Sequence, residues 1–111
     1  MNCNRYDLEI QQGSTWLRTL AYLINDEPVN IESYAARMQV RKSYDLPAVV
    51  SISTDNGIVI DDVNKINLQL SAEATAELIA GRYLYDIEID DAGTVERIIS
   101  GILTVSAEVT K

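Results

Sequence analysis

The sequence contains no histidine and one cysteine, Cys3, in 111 residues. A disulfide framework within the chain is excluded, because it needs at least two cysteines. Most zinc and transition-metal sites use histidine or cysteine ligands, so they are disfavoured as well. A catalytic serine or cysteine would lack the histidine that usually activates it. These absences argue against hydrolase and thiol chemistry, and we expect no enzyme activity and no cofactor.

Basic residues are also scarce, since nine Lys and Arg stand against 17 Asp and Glu, which gives a net charge of −8. Such a surface repels phosphate backbones and anionic lipid, so we expect no nucleic acid and no membrane as a partner. No apolar run approaches the ~20 residues that a membrane span requires. The first residues lack the basic start and apolar stretch of a secretion signal, which predicts synthesis in the cytoplasm.

Apolar and polar residues alternate along most of the sequence. This period of two is typical of strands with one buried face. The pentapeptide YDLEI at 6–10 returns as YDIEI at 85–89, with acids at the same two places. No base, nucleophile or oxygen-rich loop accompanies these acids, as a catalytic or metal site would require. We therefore interpret the two copies as half-buried strands whose tyrosines and aliphatic residues turn inward.

Turn residues separate the predicted strands. Gly13-Ser14 precedes a strand at 15–24, which ends in the turn-forming sequence Asn-Asp-Glu-Pro. Asp55-Asn56-Gly57 contains residues that tolerate positive φ, which predicts a tight hairpin turn between strands at 48–53 and 58–61. The remaining alternating segments are interpreted as strands in the same way.

The pattern changes once, near 72–80. The sequence AEATAELIA is rich in helix formers, Ser71 can cap its start and Gly81 suits its end. This predicts one short helix between strands. The last strand is predicted at 94–109, with Gly101 as a bulge or bend.

Seven to nine short strands with one connecting helix are typical of an antiparallel β-sandwich or a partly closed barrel. We prefer the sandwich. The length fits one domain, and no stretch has the composition of a linker. The sequence thus predicts a mainly β fold, a single immunoglobulin-like antiparallel β-sandwich at 1–111 with a short helix near 72–80.

Five residues are candidates for a protein interface. Trp16 is the sole tryptophan and stands in a segment that is apolar on both faces, so the sequence leaves core and interface open. Arg37, Arg41 and Lys42, with Tyr44 close by, form the one basic cluster of an acidic chain. Such a cluster is either a solvated face paired with outward acids, or a patch that docks onto an acidic surface of a partner or of a second copy.

The order of the segments carries a resemblance. An opening strand with a Q-G turn, YDLEIQQG, is followed by YAARMQVR, then by LSAEAT and by YDIEI. In this order the motifs resemble small structural proteins encoded in the tail regions of bacteriophages and prophages. They are similar to the N-terminal β-sandwich module of siphophage baseplate upper proteins. The likeness covers nearly all of the chain and carries over no catalytic residue.

The resemblance implies a non-enzymatic virion protein, made and assembled in the bacterial cytoplasm. Its partners would be other tail, baseplate, connector or fibre subunits, bound in several copies of a symmetric assembly. The larger relatives continue into a helical or receptor-directed region, so this chain is expected to be an adaptor or attachment module. Two alternatives stay open: a capsid decoration protein, and a free acidic binding module such as an inhibitor of a host protein.

Overall fold

The computed structural model describes residues 4–108, where eleven strands and one helix follow one another. In chain order they are β1 (Asn4–Arg5), β2 (Leu8–Gln11), β3 (Trp16–Ala21), β4 (Leu23–Ile24), β5 (Glu27–Pro28), β6 (Ala35–Arg41), β7 (Ala48–Thr54), β8 (Gly57–Asp61), β9 (Lys65–Leu70), α1 (Ala72–Ala76), β10 (Gly81–Asp91) and β11 (Thr94–Ser106). Cys3 and the predicted end of the last strand at 109 lie outside the described residues. The fold is mainly β.

One sheet contains nine of these strands, in the order β1-β11-β10-β6-β7-β8-β9-β3, with β2 also paired to β11. Only two residue pairs join β7 to β8, and there the sheet curls over. One layer contains β1, β2, β11, β10, β6 and β7, and the other contains β8, β9 and β3. The two layers enclose one hydrophobic core. The predicted immunoglobulin-like β-sandwich is confirmed. Pairing is antiparallel except that β1 and β2 run parallel to β11, and β7 to β8.

The turn between β7 and β8 differs from the predicted hairpin. Asp55 and Gly57 have the expected positive φ, 67° and 104°. However, Ser53 and Asn56 exchange two backbone hydrogen bonds, and the Asp55 N–H then donates to the Ile58 carbonyl. These successive turns direct the chain into the second layer, where β8 pairs antiparallel with β9. The hairpin prediction is wrong, because the fully buried Ile58 belongs to the other half of the core.

The helix α1 is shorter than the predicted segment 72–80. Ser71 caps it as expected, with its Oγ accepting a hydrogen bond from the Ala74 N–H at 3.1 Å. The helix ends at Ala76, and Leu78 after it packs in the core, where it is 6% exposed. Gly81 starts β10 instead of capping the helix. No helix in residues 4–108 combines the length and the apolar character needed to cross a membrane.

Thr75 anchors α1 to the turn between β2 and β3. Its side chain is fully buried. The hydroxyl donates to the Ser14 carbonyl at 2.8 Å and accepts from the Gly13 N–H at 3.1 Å. Gln12 Nε2 adds a hydrogen bond to the Leu78 carbonyl at 2.7 Å. The Q-G turn and the L-S-A-x-x-T segment of the sequence are therefore in direct contact.

Thr75→Val should lower the free energy of unfolding by about 1–2 kcal/mol, since the shape is kept but the Gly13 N–H and Ser14 carbonyl lose a partner. Urea denaturation measures this as a lower midpoint with an unchanged slope. Thr94→Val changes the same groups at an exposed strand position and should stay within about 0.5 kcal/mol of the parent. Equal midpoints for the two variants would contradict the anchoring role.

The two pentapeptides lie on either side of β11, β2 in parallel and β10 in antiparallel orientation. Leu8 and Ile10 of the first copy and Ile87 and Ile89 of the second are buried. Half-burial of both copies is therefore confirmed. Their acids differ, because Asp7 and Glu9 in the first copy are exposed, whereas Asp86 and Glu88 in the second are half-buried.

Gly101 has a different role from the predicted bulge. The register shift in β11 lies between Arg97 and Ile99, which pair with Glu88 and Ile87, so Ile98 is the extra residue. At Gly101 the backbone of Tyr6 comes so close that a Cβ atom would stand 2.0 Å from the Tyr6 carbonyl oxygen. The Tyr85 hydroxyl donates to that same oxygen. Glycine is needed there for close packing of β1 and β2 on β11.

Candidate protein-interaction surface

Trp16 lies in the core, and this corrects its choice as an interface residue. Its side chain is 6% exposed, and the indole Nε1 donates to the Glu9 carbonyl at 2.9 Å. The ring thereby connects β3 in one layer with β2 in the other. A side chain this deeply buried offers no surface to a partner. Of the two alternatives that the sequence left open, the core is the one observed.

The predicted basic cluster is divided between two faces. Successive residues of a strand point to opposite sides of the sheet. Met38 and Val40 of β6 are buried and face the core. Arg37 and Arg41 therefore lie on the outer face of the same strand. Lys42 follows Arg41 and places its ammonium 4.8 Å from the centroid of the Tyr83 ring. Lys42 thus does not share the outer face with the two arginines.

Arg37 is occupied by a neighbour in the same sheet. Its Nε lies 2.7 Å from Oε1 of Glu88 on the adjacent β10. This hydrogen bond and the charge of Glu88 raise the pKa of Arg37. Arg37 therefore agrees with the first interpretation of the cluster, a solvated face paired with outward acids.

Arg41 holds the loop that follows it. Its guanidinium donates to the Leu46 carbonyl at 2.7 Å and to Gln39 Oε1 at 2.8 Å. The loop is further closed by a hydrogen bond from the Leu46 N–H to the Ser43 carbonyl at 3.2 Å. It presents Tyr44 and Leu46, which are 77% and 47% exposed. A fixed loop with an exposed aromatic and an exposed aliphatic residue is suited to contact with another protein.

Arg41 and Tyr44 line an open hollow of about 200 Å³ on the outer face of β1, β6, β10 and β11. Arg5, Arg97 and Asp86 line it as well. We call these five residues the arginine hollow. Arg5 and Arg97 are far from Arg41 in sequence, and the pairing of β1 with β11 and of β11 with β10 brings them together. Sequence reasoning missed both, because their outward position does not reveal which strands are neighbours.

The arginine hollow has an excess of positive charge. Among residues 4–108 the ion pairs are Arg5–Asp7 at 3.3 Å and Arg37–Glu88, so Arg41 and Arg97 form none there. Burial is the main cause that raises the pKa of Asp86, and the charge of Glu88 adds to it, while the charges of Arg97 and Arg41 act in the opposite direction. Guanidinium groups bind carboxylates through two parallel hydrogen bonds. The hollow therefore offers binding capacity for a carboxylate from outside.

The acids of the two pentapeptides do not form a common site. Asp7 Oδ1 accepts a hydrogen bond from the Ile102 N–H at 3.1 Å on one side of β11. Glu88 pairs with Arg37 on the other side. In the described part of the chain, no three His, Cys, Asp or Glu side chains are placed to hold a metal ion.

The free edges of the sheet carry features that oppose the addition of another strand. In β3, Arg18 lies on the same face of the strand as the buried Trp16 and Leu20 but is itself exposed, so a charged residue stands on the core-side face of this edge. In β7 the register shifts at Val49, which leaves an extra residue on that edge. Inward charges and bulges on edge strands block edge-to-edge pairing. Contact through side chains on a face is favoured over strand addition.

Comparisons with known proteins give distant fold likeness and no family. No family model and no curated protein matches the chain. A solved structure titled "Structure-based site-directed photo-crosslinking analyses of multimeric cell-adhesive interactions of VGSC beta subunits" is similar over 92% of this chain and 92% of its own, with 15% identity and a TM-score of 0.46. The strand pairing itself defines the fold.

Proposed function

We propose that the protein is a non-enzymatic structural protein of a bacteriophage virion, an adaptor of the tail or baseplate that docks other subunits. The order of sequence motifs supports the virion, and the arginine hollow supports docking. Pockets for small ligands usually have about 300–1,000 Å³, and this open hollow of about 200 Å³ fits a side chain from another protein better. Arginine and tyrosine are also enriched among residues that dominate interface energies.

The fold suits this role because the contact groups sit on a rigid support. Arg5 and Arg97 project from strands, and Arg41 fixes the loop that carries Tyr44. A preorganised surface loses little conformational entropy on binding. In a symmetric assembly, several weak contacts of this kind add through avidity.

A free acidic binding module is the second candidate, favoured by the net charge of −8 and by the exposed acids Asp90, Asp91 and Glu96 on the β10–β11 hairpin. Mass spectrometry of purified particles separates the two. An adaptor is present in stoichiometric multiples of the other virion proteins. An inhibitor is absent from particles and binds one host protein in a lysate, and that result would overturn the adaptor proposal.

Tyr44→Ala is expected to reduce incorporation into particles by about tenfold, which corresponds to ~1.4 kcal/mol of binding free energy. Tyr44 is 77% exposed, so its removal should leave folding unchanged. Arg41→Glu should also impair incorporation, but it removes the hydrogen bond to Leu46 that fixes the loop. Copy number per particle, measured by quantitative mass spectrometry, is the readout.

The matched control for this experiment is Leu17→Ala, which removes an exposed side chain (66%) from the other layer. It should be incorporated like the parent protein. Normal incorporation of both Tyr44→Ala and Arg41→Glu would remove the arginine hollow and its loop from the docking surface.

A further inference from the structure

The β10–β11 hairpin projects from the sandwich. Every residue from 90 to 97 is exposed. Side chains of a strand point alternately to two faces, so an unbroken exposed run means that neither face is covered. Ala92 and Gly93 form the tip with positive φ, 52° and 99°, and Asp90 Oδ1 accepts a hydrogen bond from the Gly93 N–H at 2.8 Å. The tip is a well-formed turn that stands clear of the core.

This projection is acidic and partly apolar. Asp90, Asp91 and Glu96 contribute three carboxylates, and Val95 is 44% exposed. We call residues 90–96 the acidic hairpin. Its chemistry is the complement of the arginine hollow, where three guanidinium groups lie beside the exposed Tyr44.

The side chains of Asp91 and Glu96 point away from the hollow of their own chain. The hairpin and the hollow are both built on β10 and β11, with Asp86 in the hollow and Asp91 at the start of the turn. Asp91 lies opposite Thr94, and Glu96 lies opposite the buried Ile89, so Asp91 and Glu96 share the inner face of the hairpin. Arg97 lies opposite Glu88 on the outer face. The strand pairing that extends to Asp91↔Thr94 keeps the tip directed away from the hollow. A second copy can supply the hairpin, and such a contact joins two different surfaces.

We propose that copies of this chain associate head to tail, with the acidic hairpin of one copy seated in the arginine hollow of the next. This rests on the proposed role in a virion assembly. Contacts between unlike surfaces generate closed rings when the rotation between copies closes, and filaments when it does not. Asp91 of one copy pairs with Arg97 of the next, while Val95 packs against Tyr44.

The test measures self-association of the purified full chain by analytical ultracentrifugation over a range of protein and salt concentrations. The expected result is a concentration-dependent oligomer that dissociates as salt is raised, because the contacts are exposed charges. Asp91→Arg and Arg97→Glu should each weaken association at least tenfold. Mixing the two variants should restore it, since each supplies the charge that the other has lost.

The matched control for Asp91→Arg is Glu32→Arg, which makes the same change in net charge at another exposed position and should associate like the parent. Arg97→Gln repeats the loss of charge without reversal, and circular dichroism checks that every variant is folded. A chain that stays monomeric at all concentrations overturns the proposal, as does association that neither single variant weakens. Those results would not contradict incorporation into particles. Absence of the protein from particles would overturn the proposed function and not the self-association.

Discussion

Gly101→Ala is expected to lower the free energy of unfolding by more than about 3 kcal/mol, at or beyond the upper end of usual overpacking costs. The new Cβ would meet the Tyr6 carbonyl oxygen at 2.0 Å and the Tyr6 carbonyl carbon at 2.8 Å. Both are backbone atoms, so no side-chain rotation relieves the clash. Domains of this size are stable by only about 5–15 kcal/mol, and the variant would lose a large part of its stability.

The segment around Tyr6 cannot move away without further losses. The Tyr6 N–H donates to the Ser100 carbonyl at 3.1 Å, and the Tyr6 carbonyl accepts from the Tyr85 hydroxyl. Asp7 Oδ1 accepts from the Ile102 N–H. A shift of β1 would break these hydrogen bonds on both sides of the glycine.

Gly93→Ala is the control for Gly101→Ala. Gly93 has a positive φ of 99°, but nothing lies within 4 Å of its Cβ position. We expect only the backbone strain of about 1–2 kcal/mol that a Cβ adds at positive φ. Urea denaturation of both variants measures the difference. If Gly101→Ala unfolds at the same urea concentration as Gly93→Ala, the placement of β1 and β2 against β11 is incorrect.

The sequence predicts which residues of a strand face inward, and it leaves the neighbours of each strand unspecified. The alternation in YDLEI and YDIEI was enough to assign their buried faces. This alternation does not predict the contact between Gly101 and Tyr6, because that contact depends on the register between segments 95 residues apart. The turn at 55–57 shows the same limit, since its positive φ values fit a hairpin as well as a crossing between layers.

The candidate site was predictable only where its residues are near in sequence. Arg41 and Tyr44 come from one segment, whereas Arg5 and Arg97 reach the arginine hollow through strand pairing. The division between Arg41 and Lys42 was accessible in advance, because adjacent strand residues point to opposite faces. For Trp16 the pattern gave no decision, since its segment is apolar on both faces.

Trp16→Ala should lower the free energy of unfolding by about 3–5 kcal/mol, the usual cost of removing a large buried aromatic side chain. Trp16 is 6% exposed, and its Nε1 bonds to the Glu9 carbonyl. Trp16→Phe keeps a ring and should cost less. Far-UV circular dichroism during heating is the measurement, because removing the sole tryptophan also removes the fluorescence signal.

Leu17→Ala is the neighbouring control for Trp16→Ala. Leu17 is 66% exposed, and its truncation should shift the midpoint of thermal unfolding by little. An interface role for Trp16 makes the opposite prediction, with normal thermal unfolding and reduced assembly into particles. Equal unfolding temperatures for Trp16→Ala and Leu17→Ala would contradict the burial of Trp16. They would also contradict the packing of β3 against β2. A large difference confirms that the indole is buried where it joins the two layers.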